Sequence, residues 1–383
     1  MPFAPMRLLS AIALALWPIG AFAQTDYGGR APNVLIVDYA TGQVLTESNA
    51  DIPLPPASMS KLVTLALLFD ALRDGRVQMD TQWTVSARAH AMGGSRMFLE
   101  LRDRPTTEDL IRGIAVLSGN DATVVVAEGL AGSEEAFAAM ATTWARARGM
   151  AQTTIANSSG WPDPQHRMSL RDLITLSRYM LENHSEYYHY LAEREFEWNG
   201  IRQPNRVPLL GAGLGLDGLK TGHTNEAGYA LTGSAVQGTR RVLFSFSGLD
   251  SAAERTREAE AIINWSFRQF TERQIVPAGQ VLAEAEVWMG AERRVPLVSP
   301  VDVAVLVPLL GATQVSATIE FMGPLSAPVL EGQEVGRLLV EVPGSPELSF
   351  PVVAGRSVDE GGVVPRLRTA AVVLAGHLGL AIP

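Results

Sequence analysis

The chain contains no cysteine, which excludes both a disulfide framework and a thiolate metal site and suits an oxidising compartment. It is almost as poor in lysine. Of its 31 basic residues only Lys61 and Lys220 are lysines, and the other 29 are arginines. Basic charge is short overall: the net charge of −9 argues against nucleic acid as a partner. No apolar run reaches the ~20 residues of a membrane-spanning helix, no segment is low-complexity and no internal repeat is apparent. What is present is 383 residues with a 47% hydrophobic fraction, which fits two packed domains, one large and one small.

The scarcity of lysine gives the two survivors meaning. Arginine stays protonated in a protein, whereas a desolvated lysine can lose its proton and act as a base. Lys61 closes Ser58-Met59-Ser60-Lys61, Lys220 opens Lys220-Thr221-Gly222, and Ser118-Gly119-Asn120 lies between them. Each fragment alone is short enough to occur by chance. In this order, Ser-x-x-Lys, Ser-x-Asn and Lys-Thr-Gly form the signature of serine enzymes that pass through an acyl-enzyme and react with penicillin.

The chemistry follows from the residue types. A serine hydroxyl is a poor nucleophile until a base takes its proton. Ser58 and Lys61, three apart at the start of a predicted helix, share one face. For Lys61 to be neutral near pH 7, its pKa must fall by ~3 units, or about 4 kcal/mol. Burial and a second cation supply such a shift, and Lys220 is the expected cation, a fixed positive charge. Ser118 offers a hydroxyl to relay a proton, and Asn120 an amide to hold Lys61 and a substrate carbonyl. Lys220, Thr221 and Gly222 at an edge strand allow a peptide to pair with it, with Lys220 and Thr221 at its terminal carboxylate. The backbone N–H groups of Ser58 and His223 are the expected oxyanion hole. This chemistry calls for no metal and no cofactor.

Periodicity places the motifs. Val34–Val37 and Gln43–Leu45, with Asp38–Gly42 between them, read as a hairpin. Core helices are expected over residues 58–72, 106–116 (with Thr106 and Asp109 as a capping box), 121–130, 134–148 and 169–183. Strands over 228–235 and 241–247 join at Gln237-Gly238, and a helix follows over 252–270. From residue 274 the chain turns strand-like and turn-rich. The expected fold class is therefore α+β: an antiparallel sheet with a helical cluster over 24–273, then a small all-β sandwich over 274–364.

Several stretches resemble the low-molecular-mass penicillin-binding proteins, the serine D-alanyl-D-alanine carboxypeptidases of bacterial cell-wall metabolism. They are Pro56-Ala57-Ser58-Met59-Ser60-Lys61, Gly94-Ser95-Arg96-Met97-Phe98-Leu99, Ser118–Ala122, Gln203-Pro204-Asn205-Arg206, Asp217–Thr224 and Arg257-Glu258-Ala259-Glu260. The resemblance covers almost all of the mature chain. It implies a transpeptidase-like domain, a β-rich C-terminal domain that holds the site away from a membrane, Ser58 as nucleophile and Lys61 as base. Ser118 and Asn120 would shuttle protons and position substrate, with Lys220, Thr221 and Arg257 at the carboxylate. The implied partners are peptidoglycan stem peptides ending in D-Ala-D-Ala, and β-lactams.

The ends set the expected compartment. Arg7, the apolar run Leu8–Ile19 and Ala21-Phe22-Ala23 before Gln24 follow the grammar of a secretory signal peptide over 1–23. Residues 365–383 place Arg366 and Arg368 before an apolar stretch too short to span a bilayer, either an interfacial anchor or a last packed helix. Unlike the family's amphipathic anchors, this tail has no aromatic residue. The expected location is the periplasm, peripheral on the outer face of the cytoplasmic membrane.

Rival readings share these residues. A DD-endopeptidase would use the same acyl-enzyme, and a non-catalytic wall-binding protein would keep the fold. Glu195-Phe196-Glu197-Trp198-Asn199 resembles the Glu-bearing loop of one β-lactamase class, but lies too close to Lys220 in sequence for that role. His184 and His189 read as surface polar residues rather than metal ligands. Trp161-Pro162-Asp163-Pro164 reads as a turn, either lining the cleft or a rigid connector.

Overall fold

Strand-forming residues at both ends of the first unit meet in one sheet. Asn33–Asp38 (β1) pairs with Val44–Ser48 (β2) and, across the unit, with Arg240–Leu249 (β7). The computed structural model describes residues 8–9, 12–14, 27–309, 314–343, 345–367 and 369–370. The leader over 1–23 and the tail over 365–383 lie for the most part outside the described residues. Among those described, no helix is long and apolar enough to cross a membrane.

The helices come between these strands in sequence. A 3-10 turn, Ala57–Ser60, leads into α1, Lys61–Arg73. Then follow Ala87–Ala91 (α2), Thr107–Ala115 (α3), Asn120–Ala131 (α4), Glu134–Arg146 (α5) and Leu170–Asn183 (α6). The helix expected from Ser58 thus starts at Lys61, and Ser58 sits in the tighter turn before it. Helix α1 is buried all round, from Lys61 through Ala71, as befits a central core helix. Leu62, Leu65 and Phe69 share a core with Ile111 and Ile114 of α3, Val125 of α4 and Leu173 of α6. The capping box at Thr106 and Asp109 forms. Helix α2 was not anticipated, because one and a half turns carry too little periodicity.

A short hairpin of Glu195–Trp198 (β3) and Ile201–Pro204 (β4) follows. Leu216–Thr224 (β5) and Gly228–Gln237 (β6) then complete the sheet, in the order β2-β1-β7-β6-β5 and antiparallel throughout. Strand β5 is therefore an edge, with Lys220 at its middle opposite Thr232 of β6. Ala252–Arg268 (α7) ends this unit.

The second unit begins at Gln269, ahead of the boundary expected at residue 274, because Phe270–Val276 (β8) is already paired with Val303–Pro308 (β11). A larger sheet joins Ser316–Gly323 (β12), Glu334–Glu341 (β14), Leu348–Ala354 (β15), Arg294–Val298 (β10), Val281–Trp288 (β9) and Leu325–Ser326 (β13), in that order. Leu8–Leu9 and Ile12–Leu14 pair with β12. Val303 and Val305 of the small sheet share one core with Val295, Ile319, Leu338 and Val352 of the large one, the sandwich arrangement of an all-β domain.

Candidate active site

Three backbone segments converge on Ser58, and two are held in conformations that non-glycine residues rarely adopt. Ala57 has φ +48° and Ser118 φ +61°. Such left-handed positions cost of order 1–3 kcal/mol each and persist only when their surroundings impose them. Around Ser118, Gly119 N donates to Gly113 O at 2.8 Å and Asn120 N to Ser95 O at 2.8 Å. The third segment is Ser159-Gly160, which closes against the nucleophile turn. Gly160 has φ +76°, and a Cβ there would stand 1.9 Å from Ala57 O. Gly160→Ala is expected to destabilise the protein by at least ~1 kcal/mol and to slow acylation of Ser58, read from the unfolding midpoint and from penicillin adduct formation.

The two lysines are fully buried at 0% exposure. Lys61 Nζ donates to Ser58 Oγ at 2.9 Å and to Ser159 O. Burial is the main cause pushing the Lys61 ammonium well below the ordinary lysine range, and the charge of Lys220 adds to it; Asp121 opposes both. The Asp121 carboxylate is itself occupied, accepting from Met97 N at 2.9 Å and Leu99 N at 3.1 Å, which pins the loop carrying Gly94 and Ser95.

Lys220 departs from the fixed cation expected of it. Burial, with Arg255 and Arg206 nearby, pushes its pKa down to about 7, and among the described residues its Nζ has no hydrogen-bond partner. The permanent charges of the site are thus the two arginines. Both line the main cavity. Arg257 does not: its side chain is 68% exposed, 3.9 Å from Glu254. Two positions along a helix turn a side chain by about 200°, so Arg255 faces the cavity and Arg257 faces solvent. Arg206 closes the Gln203-Pro204-Asn205-Arg206 stretch, and the fold brings it to the cavity.

The cavity is about 330 Å³ and is lined by Ser58, Ser118, Asn120, Thr221, Gly222 and His223 among others, so the three motifs meet in one place. Gly222 permits the close approach: a Cβ there would lie 2.9 Å from Pro56 O. The His223 ring lies against that of Tyr229, tilted by 34° with the centroids 4.0 Å apart. The Asn120 amide differs from expectation. Its Nδ2 donates to Gly93 O at 2.8 Å, and among the described residues it forms no bond to Lys61. Trp161 and Pro162 line the cavity, so that turn belongs to the cleft.

Among the described residues no aspartate or glutamate lines this cavity. Glu195 and Glu197 lie on the β3–β4 hairpin, each paired with the exposed Arg202, so the β-lactamase-like loop is placed off the site. His189 is exposed, but His184 is buried rather than on the surface, its Nε2 2.9 Å from Asp70 Oδ1 between the rings of Phe69 and Tyr179. Its pairing with the buried Asp70 carboxylate of α1 accounts for that difference. Among the described residues no cluster of three or more His, Asp or Glu is placed to hold a metal.

Known proteins resemble this chain in sequence and in fold. A family model described as D-alanyl-D-alanine carboxypeptidase matches residues 22–246, and one for the penicillin-binding protein 5 C-terminal domain matches 270–360. The D-alanyl-D-alanine carboxypeptidase DacD of Escherichia coli K12 is 34% identical over 346 residues, 88% of this chain and 89% of that protein. DacF of Bacillus subtilis is 30% identical over 374 residues, 94% and 96% respectively. Penicillin-binding protein 5 of Haemophilus influenzae superposes with a TM-score of 0.78 at 29% identity, over 90% of this chain and 100% of that one. Penicillin-binding protein D2 of Listeria monocytogenes, in its ampicillin-bound form, gives a TM-score of 0.57 at 25% identity, over 66% and 100%.

Proposed function

Because this chain belongs to the D-alanyl-D-alanine carboxypeptidase family of serine peptidases, we propose that it removes the terminal D-alanine of peptidoglycan stem peptides through an acyl-enzyme on Ser58. The observation that carries this reading is the 2.9 Å bond between Ser58 Oγ and a fully buried Lys61. Ser58 Oγ attacks the carbonyl carbon of the penultimate D-alanine as its proton passes to neutral Lys61 Nζ. The backbone N–H groups of Ser58 and His223 hold the oxyanion. The tetrahedral intermediate expels D-alanine, whose amine receives a proton through Ser118. Water then attacks the ester, Lys61 takes its proton, and the shortened peptide leaves. Lys220, Thr221, Arg206 and Arg255 hold the terminal carboxylate, Gly222 lets the peptide approach β5, and Asn120 positions the loop beside it.

β-Lactams enter by the same attack: the ring amide opens and Ser58 carries the ester. The ampicillin-bound relative supports this reading. The leader over 1–23 directs the chain to the periplasm, and the tail over 365–383 holds it peripherally at the outer face of the cytoplasmic membrane.

The test is D-alanine release from a peptide ending in D-Ala-D-Ala, by the parent and by Ser58→Ala. Release by the parent, loss in the variant and a penicillin adduct confined to Ser58 are the expected results. An adduct without release would move the activity to cross-linked peptides or to slow binding. No adduct at all would remove the serine mechanism.

A further inference from the structure

Behind the cavity wall lies a buried carboxylate that no step of acyl transfer uses. Glu134, the first residue of α5, is 4% exposed. Its two oxygens divide their work. Oε1 accepts from Ser158 N at 3.1 Å and from Ser158 Oγ at 2.8 Å. Oε2 pairs with the Arg88 guanidinium of α2 at 2.7 Å. Helix α5 is already capped by Ser133, whose Oγ accepts from Ala136 N at 3.1 Å. Glu134 therefore serves a neighbouring segment rather than its own helix.

That segment touches the base. The carbonyls of Ser158 and Ser159 meet two polar side chains of α1. Thr64 Oγ1 donates to Ser158 O at 2.7 Å, and Lys61 Nζ donates to Ser159 O. Lys61 and Thr64 stand three apart on one helix face. Asn157 Oδ1 braces the turn that follows, accepting from Ser159 N at 3.2 Å and Trp161 N at 2.9 Å. Thr64, Ser158 and Ser159 are all buried, so the segment moves only if these bonds give way.

The Ser159 carbonyl matters because of what a neutral amine can offer. Protonated lysine has three donors and no acceptor; once neutral it has two N–H groups and one lone pair. An acceptor held on one N–H restricts rotation about the Cε–Nζ bond and leaves the lone pair free to face Ser58. Ser58 Oγ stands 2.9 Å from Nζ, so the lone pair meets the serine proton. A misplacement of ~1 Å at such a contact costs on the order of 10²-fold in rate.

Resting on the serine mechanism above, we propose that Glu134 is a positioning residue for the general base. Its carboxylate fixes Ser158, Ser158 fixes the Ser159 carbonyl, and that carbonyl aims Lys61 Nζ at Ser58 Oγ. Arg88 balances the buried charge and takes no part in the aiming.

The test is single-turnover acylation of Ser58 by penicillin across pH 5–9, in two double variants of equal charge. Glu134→Gln with Arg88→Ala keeps an acceptor for Ser158, whereas Glu134→Ala with Arg88→Ala does not. The glutamine pair should acylate at close to the parent rate. The alanine pair should lose on the order of 10²-fold in the acylation step, with reversible penicillin binding unchanged. Its acid limb should also move to lower pH, because a carbonyl acceptor favours the protonated amine and its loss removes that support. The other charged groups that act on Lys61, Lys220 of β5 and Asp121 of α4, are the same in both variants. A role in packing alone would let water reach Lys61, relieve its burial and move the limb to higher pH. If the alanine pair does not fold, Glu134→Asn with Arg88→Ala, whose amide falls one methylene short of Ser158, replaces it. Equal acylation by the two pairs, a fall confined to reversible binding, or an acid limb displaced upward would overturn the assignment. A parent that forms no adduct would instead remove the serine mechanism on which it rests.

Discussion

Lys61→Arg should release D-alanine on the order of 10³-fold more slowly than the parent at the parent's pH optimum. A positioned general base contributes about 10² to 10⁴ in rate, and arginine keeps the charge of lysine while giving up no proton. The parent environment is built to neutralise Lys61: it is fully buried, and both burial and Lys220 drive its pKa down. Because the longer guanidinium must fit a closed site, Lys61→Met provides the control, with a similar volume and neither base nor charge. Both variants should lose the rising acid limb of the pH–rate profile, since the group that titrates there is gone. The measurement is single-turnover acylation by penicillin across pH 5–9. Arginine within tenfold of the parent, or an acid limb that survives in either variant, would assign the base to another group.

The nucleophile and its base were legible because their chemistry is local. Ser-x-x-Lys places two groups on one turn, and whether that turn is 3-10 or α, the pair meets. The convergence of Ser118 and Lys220 on that pair was legible only as motif order, since no periodicity encodes where a distant edge strand lies. Arg257 was misplaced for a related reason. Arg255 and Arg257 are chemically equivalent in the sequence, and only the rotation of α7 against the sheet decides which one faces the cavity. Arg206 was hidden by its setting in an irregular segment with no face to read. Burial beside two guanidiniums makes Lys220 a titratable charge rather than a fixed one, and the motif alone carries no sign of those neighbours. The fold itself read well, because its sheet strands alternate or run apolar between glycine turns. The start of the second unit reads as residue 274, behind its true start, because Thr271–Gln274 of β8 is an uninterrupted exposed polar run that reads as the end of a helix.

Lys220→Leu should lower kcat/KM for a D-Ala-D-Ala peptide on the order of 10²–10³-fold, the usual cost of removing one partner of a desolvated charge pair, and should also change the pH profile in a defined direction. In the parent, the productive form has Lys61 neutral and Lys220 protonated, so kcat/KM rises as Lys61 loses its proton and falls as Lys220 loses its own. Both limbs therefore lie below the ordinary lysine value of about 10.4, and they report the pair rather than either residue alone. The substrate carboxylate favours protonated Lys220, so the alkaline limb of kcat should stand at higher pH than that of kcat/KM. Removing Lys220 removes a positive charge that depresses Lys61, so the acid limb of the variant should move to higher pH. Stability should move the opposite way to activity. A lysine whose pKa is lowered by folding costs stability in full below the folded value, and the cost fades as pH rises towards the unfolded value. With Lys220 pushed down to about 7, the leucine variant should gain as much as about 4 kcal/mol near neutral pH. Denaturant unfolding at pH 7 and at pH 10 measures this, the gain being largest at pH 7. A variant that is both slower and less stable would mean that Lys220 serves packing, whereas slower, more stable and shifted in its acid limb is the result expected of a buried cation kept for the substrate.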